Sequence, residues 1–288
     1  MKKLFIMLFA VVSVTMAWAQ NPAAYMLYDK DGNRVDYSEM IQQMSVNDLV
    51  FIGEIHNCAM AHWMEKLIVQ DLYAIHGDQF MLGAEMFERD DQLLLNEYLE
   101  GIIPFSRLKA EAKLWDNYET DYAPIVEFAK EHKVPFIATN VARRYANMVS
   151  KEDFKALDKI SEEAKQWIAP LPINYIDNPL VNEYFKKSLP PMMKNVPTTK
   201  LAHAQAVKDA TMAWSISQTL KGKMVHINGS FHSTGHAGII SYLDRYRPAL
   251  KIGTIEIIHQ EKVDTLDDKY KGNADFFICV PSSMATTF

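Results

Sequence analysis

The apolar residues of the chain fall into short continuous runs that alternate with longer segments of helical periodicity. The runs at 49–52, 80–86 and 134–139 are typical of strands that are buried on both faces. Between them lie amphipathic segments such as 59–75 and 90–99, where apolar residues return at helical spacing. This alternation predicts an α/β fold with a mostly parallel sheet flanked by helices.

The second half of the chain continues the pattern after an interruption. The section from 150 to about 200 has no strand pattern and contains six prolines, so it predicts a helical insertion or a small helical subdomain. Such an insertion could cover the sheet edge as a lid, or it could be a plain surface elaboration. Strands and helices are then predicted at 201–220, 224–228, 236–246, 250–258 and 276–280. We expect one domain over residues 20–288 that includes the insertion.

The first 19 residues have the pattern of a secretion signal peptide. Lys2 and Lys3 precede an apolar run, and small residues at Ala17 and Ala19 mark a cleavage position. The run is too short for a membrane span. The sequence therefore predicts an exported protein, periplasmic or associated with the outer membrane.

Charge and cysteine content bear on the partners of the protein and on its cross-links. The net charge is −6 and no cluster exceeds three basic residues, which argues against nucleic acid as a partner. The cysteines are Cys58 and Cys279, and export permits a disulfide between them. Two separate buried thiols fit the sequence equally well.

The ends of four predicted strands carry polar residues. They are Glu54 with His56, Glu85 with Arg89, Asn140 with Arg143, and Asn228 with His232. Because parallel strands end at one rim of a sheet, we expect these side chains to converge. The convergence could supply a general acid–base set, or bind a divalent metal through His56, Glu85 and His232. The structural alternative is that Glu54 caps the next helix and His56 packs in the core.

Two of these segments share a Gly-x-x-His spacing, Gly53 to His56 and Gly229 to His232. The spacing by itself is not a metal signature, so the evidence is its repetition at strand ends. Other candidates carry less weight. They are His62 and His236, which could extend the rim, and His203 and Asp209, which lie on a long helix whose orientation the sequence leaves open.

Several segments together resemble a known family. They include Phe51-Ile-Gly-Glu-Ile-His-Asn57, Leu82-Gly-Ala-Glu-Met-Phe-Glu-Arg89, Tyr122-Ala-Pro-Ile-Val-Glu-Phe-Ala129 and Asn228-Gly-Ser-Phe-His232. In order and approximate spacing they resemble the ChaN-like haem-binding uptake proteins of the Tiki superfamily. The resemblance implies a parallel α/β core, an exported protein of haem or iron uptake, a homodimer around haem, and outer-membrane uptake components as partners. The chain departs from the family's lipoproteins because no lipid-attachment cysteine is present, so membrane anchoring is not part of what the resemblance implies.

The resemblance also implies site residues. Haem binding in the family is attributed to a tyrosine ligand with a nearby histidine, which points here to Tyr118 or Tyr122, with Tyr145 as a further possibility, and to His62. The wider superfamily implies the alternative function of a metal-dependent peptidase or esterase. That site would consist of Glu54, His56, Glu85, Arg143 and His232. A third hypothesis is that the rim only holds the fold and the protein serves as a binding partner.

Overall fold

The computed structural model describes residues 23–188 and 197–287. The predicted signal peptide, 1–19, lies outside the described residues. The central sheet of the protein contains β1 (Met26–Asp29), β2 (Leu49–Glu54), β3 (Phe80–Glu88), β4 (Phe136–Asn140), β5 (Lys223–Gly229), β6 (Ile252–Gln260) and β7 (Phe276–Pro281).

The strand order is β1-β7-β6-β2-β5-β3-β4. Only the edge pair β1–β7 is antiparallel in this sheet, and the other neighbours run parallel. The α/β prediction with a mostly parallel sheet is confirmed. Strand β5 lies between β2 and β3, so two strands that follow each other in the chain are separated by one that comes much later.

Helices cover both faces of the sheet. They are α1 (Tyr37–Ser45), α2 (Ala59–His76), α3 (Gln92–Leu99), α4 (Phe105–Glu111), α5 (Ala123–His132), α6 (Arg143–Glu152), α7 (Glu162–Lys165), α8 (Pro179–Ser188), α9 (Thr198–Thr219) and α10 (Ile239–Tyr246). Alternate residues of β2 join different cores, as strand geometry requires. Val50 and Ile52 pack in the layer of α1 to α5, whereas Leu49 and Phe51 pack in the layer of α6, α9 and α10.

The section from 150 to 200 contains helices and turns and, in its described part, no strand. Between α7 and α8 the backbone from 166 to 178 is irregular. Ile168, Ala169 and Ile173 are nevertheless buried in the same core as α9 and α10. This section is therefore attached to the main body by apolar packing.

Two element boundaries differ from the predictions in a way that matters for the site. The strand predicted at 49–52 continues to Glu54 in β2, because Gly53 pairs with Asn228 of β5 and Glu256 of β6. Likewise β3 extends to Glu88. Glu54 consequently lies inside a buried strand rather than after it, and Glu85, already within the predicted run, lies further from the end of its strand. Within the described residues, we find no helix with the length and apolar character to cross a bilayer.

Candidate functional site

Glu85 lies near the carboxyl end of β3 and joins three parts of the fold. Its Oε1 atom lies 3.1 Å from Nε2 of His232. Its Oε2 atom accepts a hydrogen bond of 2.9 Å from the backbone N–H of Gly229 on β5. The second ring nitrogen of His232, Nδ1, bonds to Asp209 on α9. All three side chains are buried.

Opposite charges shift the pKa values of the groups in this cluster. Burial alone would raise the pKa of Glu85, but the positive charge of His232 holds it well below its usual range. Burial alone would lower the pKa of His232, but the carboxylates of Glu85 and Asp209 outweigh it and raise the pKa to about 10. His232 is therefore occupied by two carboxylates, and neither of its nitrogens is left for a substrate.

The two Gly-x-x-His segments fit against each other through their glycines. A Cβ atom on Gly229 would lie 2.7 Å from Nε2 of His56, and one on Gly53 would lie 3.1 Å from Cα of Ser230. Each glycine thus makes room for the other segment. The repeated spacing has a packing reason, and the packing places His56 beside Glu85.

His56 is held by Glu54 and remains partly open to solvent. Oε1 of Glu54 contacts Nδ1 of His56 at 2.5 Å and accepts a hydrogen bond of 2.8 Å from Tyr122. The His56 side chain is 38% exposed, and among the described residues its Nε2 atom has no hydrogen-bond partner. Burial alone would lower the pKa of His56, but the bond to Glu54 and the charge of Glu85 raise it. A carboxylate-oriented imidazole with a free Nε2 can bind a metal or move a proton.

Behind Glu54 lies a second cluster in the interior. His62 and Glu65 come from the first turns of α2, and Nδ1 of His62 lies 3.2 Å from Glu54 and 3.1 Å from Glu65. Nε2 of His62 lies 3.4 Å from Asp121, which belongs to a π-helical turn, Tyr118–Tyr122. Such turns often occur at functional sites. In the described part of the chain, this cluster alone brings three candidate metal-ligand atoms within 4.8 Å of one another.

A cavity of about 360 Å³ lies at the same rim of the sheet. Trp115, Phe185 and Leu201 give it apolar walls. Two cationic side chains, Arg143 and Lys208, and two carboxylates, Glu85 and Glu88, also line it, and Lys208 lies 3.9 Å from Glu85. The His56 ring lies edge-on to Trp115, with ring centroids 4.8 Å apart. The cavity therefore combines apolar surface, cations and, at its edge, an accessible imidazole, which is the composition of many cofactor sites.

A larger cavity of about 670 Å³ lies on the opposite side, where β4 begins. Leu99, Val134 and Phe136 are among the residues that line it, with Lys130 and Lys133. Its lining contains no histidine, tyrosine, cysteine or methionine, so it lacks the usual protein ligands of iron.

Of the predicted haem-binding residues, Tyr122 and His62 are in contact, with ring centroids 5.2 Å apart, and Tyr118 belongs to the same turn as Tyr122. All three are buried, at 3% exposure for Tyr118, 4% for Tyr122 and 7% for His62. Tyr122 bonds to Glu54, and Tyr118 stacks on Phe105. Burial raises the pKa of both tyrosines above the ordinary value, so tyrosinate forms less readily there.

The remaining tyrosine and the basic residues named from sequence are placed differently. Tyr145, on α6, is buried, and the Arg144 guanidinium covers its ring. Arg143 is exposed and lines the rim cavity, whereas Arg144 pairs with Asp90 at 2.7 Å. Arg89 is partly buried, and burial lowers its pKa. Arg143 is therefore the arginine available to a ligand in the cavity.

Asp209 was only a minor site candidate in the sequence, and Glu65 and Asp121 were not among the predicted site residues. Asp209 was placed on a helix of unknown orientation, and the structure directs it to His232. The available signal was one acidic residue inside an Ala-rich helix, and for Glu65 the i, i+3 spacing from His62. Asp121 gave no such signal because its turn is not a regular helix.

The other histidines and the cysteines fall outside the rim cluster. His203 bonds to Asp153, and His236 lies near β6 beside Thr254. Cys58 and Cys279 are separate buried thiols, so of the two alternatives the unpaired one is observed.

Comparison with known proteins gives one family and several solved structures. A family model described as "Haem-binding uptake, Tiki superfamily, ChaN" matches residues 40–243. The structure titled "Cofacial heme binding to ChaN of Campylobacter jejuni" is 17% identical, covers 88% of this chain and 96% of that chain, and has a TM-score of 0.68. A Bacillus cereus protein is 10% identical, with coverage of 84% and 90% and a TM-score of 0.51. The search of curated proteins found no match.

Proposed function

Because the chain belongs to the haem-binding uptake family of the Tiki superfamily, ChaN, we propose that it is an exported protein that binds haem for uptake. Family membership supports haem as the ligand. The observation that carries the proposal in this chain is the rim cavity, which has apolar walls and two cationic side chains and whose Trp115 wall packs against the His56 ring. Haem binding needs these three features: an apolar slot, an axial ligand and cations for the propionates.

Each lining group has a role in holding the ligand. Trp115 offers a flat apolar face and Leu201 further apolar contact, and Arg143 offers a cation to the propionates. Lys208 adds a second cation, which lies 3.9 Å from Glu85. Glu54 fixes the His56 ring by binding Nδ1, which keeps Nε2 available and more electron-rich. Bound haem would supply an iron centre, and His56 is the side chain that we propose would hold the iron.

Tyr118 and Tyr122, the ligands that the family resemblance implied, are less well placed to bind iron than His56. Tyr122 would have to leave its 2.8 Å hydrogen bond to Glu54 and become exposed before it could bind iron. His56 needs neither change.

The test is a haem titration of the purified protein followed by the Soret band. We expect a saturable Soret shift that His56→Ala weakens at least about tenfold, because removal of an axial ligand removes the directional bond. His236→Ala is the matched control, because His236 is 42% exposed but lies near β6.

Tyr122→Phe should leave the shift unchanged. If Tyr122→Phe abolishes it and His56→Ala does not, the axial role passes to the tyrosine. If the unaltered protein gives no Soret shift, haem binding is excluded.

Export, the homodimer and outer-membrane partners are parts of the same proposal. Export is supported by the basic, apolar and small-residue pattern of the first 19 residues. Cell fractionation of the full chain should find the mature protein outside the cytoplasm, shortened by about the length of that segment. Sedimentation with and without haem should show a dimer that depends on haem.

A hydrolase is the second candidate, favoured by one observation. Glu54 orients His56 with Nε2 free, which is the arrangement of a general base, and Glu85 lies across Gly229 from it. Arg143 lines the same cavity and could bind an anionic group, while His232 holds Glu85 in place. A metal held by His56, Glu85 and His232 stays a prediction, and His232 would have to give up its contact with Glu85 or with Asp209 to bind it. His56→Ala should abolish any hydrolysis of p-nitrophenyl esters, and His132→Ala, an exposed control, should not. Activity that survives His56→Ala would exclude this mechanism.

A further inference from the structure

We propose that Glu54, His62 and Glu65 form a binding site for a divalent transition-metal ion, with zinc as the representative. The three residues offer one imidazole nitrogen and two carboxylate oxygens within 4.8 Å of one another. The site lies behind His56, in the interior, and is distinct from the rim cavity. The inference does not depend on haem binding.

The first argument is the balance of charge. Glu54, Glu65 and Asp121 are buried carboxylates at 2%, 0% and 2% exposure. Their ion-pair partners are His56 and His62, and over residues 23–188 and 197–287 no lysine or arginine pairs with any of the three. Burying several acids is costly unless cations or protons compensate them. A dication supplies that compensation within a single site.

The second argument is a shortage of hydrogen-bond donors. Nδ1 of His62 lies 3.2 Å from Oε2 of Glu54 and 3.1 Å from Oε2 of Glu65, but it carries at most one hydrogen. Oε2 of Glu54 and Oε1 of Glu65 are both buried without a hydrogen-bond partner. Buried polar atoms of this kind call for an explanation, and a metal bound between them provides one.

The third argument is the orientation of the His62 ring. Nε2 lies 3.4 Å from Oδ2 of Asp121 and 3.3 Å from the backbone oxygen of His56. Asp121 is itself fixed by hydrogen bonds from Asn117 and Thr287, at 2.7 and 2.8 Å. Metal-binding histidines usually donate their second N–H to a carboxylate or carbonyl in this way. The contacts of Nε2 leave Nδ1 for the metal.

The ligand set also limits the kind of ion. Glu54 comes from β2, whereas His62 and Glu65 lie one turn apart on α2, so regular elements fix all three. One nitrogen and two carboxylates suit zinc and its first-row neighbours better than calcium, which takes six to eight oxygens. A fourth position is left for water or another oxygen.

The experiment measures zinc bound by the haem-free full chain, by metal analysis after dialysis and by calorimetric titration. We expect one zinc per chain and a higher unfolding temperature with zinc than with a chelator. Glu65→Gln keeps the side-chain shape and should remove the stoichiometric zinc. Asp121→Asn leaves every ligand in place and should weaken binding about 10- to 100-fold.

Two controls make the result specific. Glu256→Gln also changes a buried glutamate, but Glu256 lies on β6 and bonds to Thr234, so zinc binding should persist. His232→Gln alters the Glu85 cluster and should also leave zinc bound. The inference is overturned if the unaltered protein takes up no stoichiometric zinc. It is equally overturned if folded Glu65→Gln binds zinc like the unaltered protein, or if His232→Gln abolishes binding.

Discussion

Nε2 of His232 lies 3.1 Å from Oε1 of Glu85, and the two side chains are 5% and 3% exposed. This buried pair connects β3 to the turn that follows β5, and Asp209 extends it to α9. The pair gives the second Gly-x-x-His segment a role different from the first. His232 fixes the carboxylate beneath the rim cavity, while His56 keeps a nitrogen free at its edge.

Glu85→Gln should therefore destabilise the fold. The change leaves the buried His232 charge with one carboxylate fewer, and breaking such a pair costs about 3 kcal/mol or more. Urea denaturation measures the free energy of unfolding. Glu261→Gln, at an exposed position, should change it by no more than about 0.5 kcal/mol. Equal stability of the two variants would contradict the structural role of the pair.

Gly229→Ala should disturb His56 specifically. The new methyl group would lie 2.7 Å from Nε2 of His56, so the ring must move. We expect a loss of about 1–3 kcal/mol of stability, typical of overpacking, together with weaker haem binding. The control is Gly272→Ala, whose added methyl group would meet no atom within 4 Å. Gly272 has a positive φ of 79°, so this change strains the backbone but does not touch His56. It should leave haem binding unchanged, and a loss of haem affinity equal to that of Gly229→Ala would contradict the steric explanation.

The stability of the protein should fall with acid partly through His226. This residue is fully buried, contacts Thr139 and Asn228, and burial lowers its pKa to about 4. Its unfolded pKa is about 6.5. Because the folded pKa is lower, the contribution is present above pH 6.5 and is lost as pH falls through 4.

Denaturation at pH 7 and at pH 4 compares the unaltered protein with His226→Gln. The variant should be less stable at pH 7 but should lose less of its stability between the two pH values. An identical pH dependence of both proteins would show that His226 does not titrate in this way.

Both thiols should be unreactive in the native protein. Burial raises the pKa of Cys58 and raises that of Cys279 to about 12, so little thiolate forms. Ellman's reagent should detect the two thiols only after denaturation, without a reductant. If fewer than two thiols react after denaturation, a disulfide is present, which would contradict the unpaired cysteines of the structure.

Much of the fold follows from local pattern. Continuous apolar runs such as 49–52 identify strands that are covered on both faces, since no polar face is needed. The order of strands in the sheet could not be predicted, because it depends on which crossover places β5 between β2 and β3. The element ends were shifted where buried carboxylates lie inside strands, as at Glu54.

The candidate site was only partly readable from the sequence. The convergence of Glu54, His56, Glu85 and His232 follows from parallel strands ending at one rim. Local spacing does not reveal which histidine is free and which is paired, because the partner of His232, Asp209, comes from a helix. The same holds for Asp121, whose contact with His62 depends on a π-helical turn.

The position of β5 has a consequence for how the protein folds. β2, β3 and β4 all come before residue 223 in the chain, yet β2 and β3 are not neighbours in the finished sheet. Residues 223–229 must therefore insert between two strands that precede them. Gly229, which gives His56 its space, comes with that strand, so a partly folded chain that lacks β5 also lacks the ligand-binding rim.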